Sequence, residues 1–190
     1  LQVKEAFEED QNKFKDKVKE LATKVIDEQI KSSYQTGEDA INIQVAKQMA
    51  VRMIEKGIEY QKSKVEEIKF FSDKEAQISQ KVKVLDNSKI QKLQNEPMLF
   101  GLVAKKLNYK DVNEMISKMQ EMNKNEAFSK IMNGIADVMD DEMKKEENYT
   151  QINSTVNMEK INGKWQIKDL NEQIKNIEII FSNLSQAFKK

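Results

Sequence analysis

The chain has 190 residues, 34% of them charged and 38% hydrophobic, and its 32 basic and 32 acidic residues cancel. It contains no cysteine and no histidine, which excludes disulfides, thiol nucleophiles, zinc sites of the usual ligand types and any mechanism that needs a histidine base. The balanced charge provides no global field to attract nucleic acid or anionic lipid, and no apolar run approaches the ~20 residues of a membrane helix.

The length suits one domain with its own core, and one proline with five glycines predicts long regular elements. The expected fold class is α+β, a single domain over 1–190. Its parts are a helical pair (1–61), a first hairpin (64–86), a helical insert (87–147), a second hairpin (149–169) and a C-terminal helix (170–190). Long N-terminal helices would pack on one side of a curved antiparallel sheet of about four strands.

Phe7, Phe14, Val18, Leu21 and Val25 recur at helical spacing and predict a first helix from about Val3 to Lys31. Ser32 to Gly37 is read as a break. A second helix is expected from near Glu38 to about Gln61, with an apolar stripe of Ile41, Val45, Met49 and Met53 flanked by Ala46, Ala50, Ile54 and Ile58. A short break between two such helices predicts an antiparallel pair.

The period then changes. Val65 to Phe71 is β-branched and aromatic, and Ala76, Ile78, Val82 and Val84 alternate with polar residues. A two-residue loop within Ser72–Glu75 would set Ile68 and Phe70 opposite Ser79 and Gln77. A three-residue loop or a bulge aligns Phe70 with Ala76 and Ile68 with Ile78, and is favoured.

In the insert, Asn87 or Ser88 is read as capping a helix that Pro97 interrupts. Met98–Leu107 is a short apolar piece, Tyr109-Lys110-Asp111 a helix entry, and Asn123–Asn125 a further break. In the second hairpin, Asn162-Gly163 suits the positive φ angles of a type I′ turn. That loop pairs Ile161 with Lys164, Lys160 with Trp165 and Met158 with Ile167, and puts Val156, Met158, Trp165 and Ile167 on one face. Leu170, Ile174, Ile177, Phe181, Leu184 and Phe188 then form a strict helical seam.

The run Lys160-Ile161-Asn162-Gly163-Lys164-Trp165-Gln166-Ile167 resembles the last hairpin of bacterial cell-envelope lipoproteins with a cystatin-like domain, a group related to nuclear transport factor two. The resemblance covers the hairpins and, loosely, the N-terminal helices. It implies helices across a curved antiparallel sheet and an extracytoplasmic, membrane-anchored protein held by a lipid on a cysteine upstream of Leu1. It carries no catalytic residue onto this chain, because the fold hosts many functions and none of their active-site residues has a counterpart here.

Asp137, Asp140, Asp141, Glu142, Glu146 and Glu147 form the densest acidic run. A divalent-cation site would use such oxygens, but there is no EF-hand spacing, and a solvated helix face is the better reading. Met115, Met119, Met122, Met132, Met139 and Met143 suit a helical core first and an adaptable groove second. Trp165 shares its face with Met158 and Ile167, which favours a core or cavity-wall position over an exposed stacking platform. A sheet curved around a pocket would line it with Trp165, Ile167, Val156, Phe70 and Ile78, and with Phe7 or Phe14 from the first helix. Lys13, Lys15, Lys17 and Lys19 do not share a helix face and make no basic patch.

The leading expectation is a non-enzymatic, envelope-associated protein that binds a small hydrophobic ligand, a peptide or a partner protein. No cofactor, metal or nucleic acid is expected. A structural protein self-associating through its long helices and terminal seam ranks second. A carboxylate-based enzyme ranks last, since nothing in the sequence places two acids in one pocket.

Overall fold

The Asn162-Gly163 turn sets the register of everything around it. In the computed structural model, which describes residues 2–33, 40–86 and 88–187, Asn162 has φ 51° and Gly163 φ 80°, as a type I′ loop requires. Strands β3 (Tyr149–Ile161) and β4 (Lys164–Ile167) pair Ile161 with Lys164, Lys160 with Trp165 and Met158 with Ile167, the register read from the sequence. Because β4 has only four residues, most of β3 has another neighbour.

That neighbour is β2 (Glu75–Leu85), which also pairs with β1 (Ser63–Phe70). Phe70 aligns with Ala76 and Ile68 with Ile78, and the Phe71 amide donates to the Glu75 carbonyl across a three-residue loop. Glu66 is the extra residue of a bulge between Val65 and Glu67. The bulge lets Val65 and Ile68, an odd number of residues apart, both reach the core. The Lys160 amide donates to the Lys74 carbonyl, and Gln77 donates to Asn157, both on the antiparallel diagonal of β2 and β3. The result is an open antiparallel sheet in the order β1-β2-β3-β4 within an α+β fold.

The described residues group into two units, 2–25 with 61–84 and 151–187, and 26–33 with 40–60, 85–86 and 88–150. In the first, helix α1 (Gln2–Ser33) lays Val3 and Phe7 on Ala76, Ile78, Met158 and Ile167, all of them buried. Asp10 is buried too, and its carboxylate accepts the Ile167 amide at 2.8 Å. Helix α6 (Leu170–Ala187) half-buries Leu170, Ile174, Ile177 and Phe181, and Glu178 pairs with Lys17 of α1 at 3.0 Å. The seam position Leu184 is 44% exposed, and Phe188 lies outside the described residues.

The second unit is helical. Helix α2 (Ala40–Tyr60) packs against α5 (Lys124–Lys144), and α3 (Glu96–Lys106) and α4 (Val112–Gln120) pack on α5 as well. An ion pair of 2.7 Å joins Lys47 of α2 to Asp27 in the last turns of α1. The helix entry expected at Tyr109–Asp111 holds, with Asp111 capping α4 through the Glu114 amide. The break expected at Asn123–Asn125 is shorter than read, since Asn123 caps α5 through the Glu126 amide and the helix begins at Lys124.

Pro97 corrects the sequence reading. It does not interrupt a helix; it stands in the first turn of α3, behind an N-cap at Asn95 whose side chain accepts the Met98 amide at 3.1 Å. Its missing N–H is no loss there, because first-turn amides have no intrahelical partner. The residues before it, Gln91–Gln94, form a short 3₁₀ turn. The break expected at Ser32–Gly37 does not begin at Ser32, since α1 runs through Ser33. Ser88, one of the two expected caps, lies in a turn and caps no helix. Positions 34–37, the helix start at Glu38 and the alternative cap Asn87 lie outside the described residues.

Candidate functional site

The apolar stripe of α1 is interrupted by Gln11, and the core-facing alternation of β2, Ala76-Ile78-Gln80-Val82, is interrupted by Gln80. The two interruptions meet. Gln11 donates to the buried Gln80 at 3.2 Å, and the Ser63 hydroxyl donates to Gln11 at 3.2 Å. Polar groups at these positions hold the helix and strand together without filling the space beside them with hydrocarbon, and a cleft of about 510 Å³ opens there.

All of this cleft lies within the first unit. Its apolar floor comes from Phe7 and Phe14 of α1, Val82 of β2, Val156 of β3, Ile167 of β4 and Leu170 at the start of α6. Three lysines, Lys15, Lys62 and Lys168, line it against a single carboxylate, Asp169. None of the three ammonium groups pairs with a carboxylate among the described residues, whereas Lys13 and Lys17 on the same helix are held by Glu9 and Asp10, and by Glu20 and Glu178.

Of the residues expected to line a cavity, the cleft brings together Phe14, Val156 and Ile167, with Phe7. Ile78 is fully buried in the core behind it. Phe70 and Trp165 form an edge-on pair, ring centroids 5.9 Å apart at 69°, with the Lys160 ammonium 5.8 Å from the indole. Phe70 is 59% exposed. The lysines and the Gln11–Gln80 pair escaped the sequence reading, although a glutamine in each apolar register was a signal that the face was not wholly core.

The acidic run corrects a second expectation, for it is no solvated face throughout. Asp140 and Glu142 are buried. Asp140 accepts from Tyr60 at 3.0 Å and from Lys144 at 2.7 Å, while Arg52, the chain's one arginine, pairs with Asp137 at 2.8 Å. Burial alone would raise the Asp140 pKa, but its bonds to Lys144 and Tyr60 outweigh that and hold it below the ordinary value. Glu142 is opposed in the same way by burial and held down by Lys145, Lys92 and Asn148, to about 2. These partners lock the carboxylates into structure. Among the described residues no group of three or more acids gathers to hold a metal.

Of the six insert methionines weighed as core or groove, three lie in or against one helical core that also borders a groove. Met115 and Met119 are buried in a core with Val103, Ala104 and Val138, and together with Met122, Phe100, Ile116 and Phe128 they also line an apolar groove of about 670 Å³.

Comparison with protein-family models, with curated proteins and with solved structures finds no match to this chain.

Proposed function

We propose that this chain is a non-enzymatic binding protein whose ligand is a small, largely hydrophobic molecule held in the cleft between α1, the sheet and the start of α6. The observation that carries this reading is the cleft itself: about 510 Å³, with six apolar side chains as its floor. A volume of this order, an apolar lining and a few polar groups to orient the guest are the usual features of small-molecule sites. A single carboxylate in the cleft supplies no acid–base pair of the kind carboxylate enzymes use. Titration calorimetry with single-chain amphiphiles of graded length tests it. Saturable binding that is lost in Val156→Trp, which fills the floor, is the expected outcome; no heat from any chain length would overturn the reading.

The envelope location belongs to the same proposal and is supported by the pattern at Lys160–Ile167. An intact mass from the native host should show a diacylglyceryl-modified N-terminus, and an unmodified chain would remove the anchor from the proposal.

A second reading, self-association through α6, is favoured by the exposure of Ile179, Ile180 and Leu184 on that helix. Sedimentation at increasing concentration decides it, with a monomer throughout as the excluding result.

A further inference from the structure

The cleft lining carries a net positive charge. It holds Lys15, Lys62 and Lys168 against Asp169, although the chain as a whole is neutral. Lysines outside the cleft that do meet a carboxylate include Lys56 with Glu59, Lys106 with Asp141, Lys118 with Glu121, Lys144 with Asp140 and Lys145 with Glu142. Three lysines against one carboxylate, none of the three ion-paired among the described residues, are a local excess of positive charge in a chain whose acids and bases are equal in number. They stand beside hydrocarbon, and a low-dielectric floor strengthens the attraction of such charges for an incoming anion. Leu170 and Gln173 of the lining belong to the first turn of α6, whose amide dipoles add to the same sign.

We infer that the ligand of this cleft is an amphipathic anion, a single apolar chain or ring carrying a negatively charged head, with the apolar part on Phe7, Phe14, Val82, Val156 and Ile167 and the head among Lys15, Lys62 and Lys168. The inference rests on the cleft reading above and adds the charge of the ligand. Ammonium groups are compact point charges on flexible stems, without the planar fork that selects carboxylate or phosphate geometry. The chain's one arginine, Arg52, is engaged with Asp137. Recognition is therefore of charge, and heads of similar charge and size compete on similar terms.

The test uses three probes with one tail: octanoate, octanol and octylammonium at neutral pH. Each dissociation constant is measured by calorimetry on the full chain and on K15Q/K62Q/K168Q. Among the described residues those lysines make no ion pair whose loss would unfold the protein, and circular dichroism verifies the fold. Octanoate should bind about ten-fold more tightly than octanol, the sum of a few partly exposed charge contacts, and octylammonium most weakly. The triple variant should bring octanoate to the octanol value and leave octanol unchanged. Raising salt should weaken octanoate alone. Equal affinities for octanoate and octanol, or an octanoate preference that survives in the triple variant, would overturn the charge inference while leaving the cleft reading intact. Failure of all three probes would overturn the cleft reading and this inference with it.

Discussion

Three partners, Lys145 at 2.7 Å, Lys92 at 2.9 Å and Asn148 at 3.1 Å, keep the Glu142 carboxylate ionised where little water reaches it. Its pKa in the folded chain, about 2, lies below the ordinary 4.5. The stabilisation is therefore complete above about pH 4.5 and is lost as pH falls towards 2, a contribution on the order of 3 kcal/mol. Glu142→Gln should flatten the acid limb of a stability-versus-pH curve and lower stability at pH 7, both read from urea melts. Asp10 makes a different kind of bond. Asp10→Ala strands the buried Ile167 amide, and a loss of about 1–3 kcal/mol is expected in the same melts.

At the scale of elements, conformation and close approach decide what each glycine tolerates. Gly163→Ala places a Cβ at φ 80°, with nothing near enough to clash. The cost is the left-handed backbone alone, roughly 1 kcal/mol, and the hairpin register should survive, as cross-strand nuclear Overhauser contacts between Met158 and Ile167 would show. Gly134 has the opposite problem. It is helical, but a Cβ there would lie 2.9 Å from Val103 and 3.3 Å from Leu107 across the α3–α5 contact. Alanine gains about 1 kcal/mol of helix propensity, and overpacking against a stiff valine costs typically 1–3 kcal/mol. A net loss of about 1 kcal/mol is expected for Gly134→Ala, whereas Gly101→Ala, with open space at its Cβ, should gain stability.

At the scale of the molecule, a ligand that occupies the cleft must raise stability by mass action, by about 2.7 kcal/mol at a hundred times its dissociation constant. A saturating amphiphile should raise the melting temperature of the wild-type chain and leave Val156→Trp unmoved. The α+β class, both hairpin registers and the helix entry at Asp111 were legible in the sequence. Each follows from chain-local physics: a positive φ at Asn162-Gly163, the alternation of Ala76 and Ile78, and a side-chain oxygen able to reach an amide two or three residues on. Pro97 was misread because a proline that begins a helix and one that ends it differ only in what the preceding Asn95 does. The cleft, and the share of the buried acids' setting that Tyr60 and Lys92 supply, depend on partners that no local pattern pairs. Gln11 meets Gln80 over 69 positions, Tyr60 meets Asp140 over 80, and Asp10 meets Ile167 over 157. Sequence by itself determined the elements and their registers, because turns, caps and alternation are decided within a few residues. Tertiary structure alone decided that Lys15, Lys62 and Lys168 line one cleft with a single carboxylate, because that depends on the packing of segments far apart in the chain.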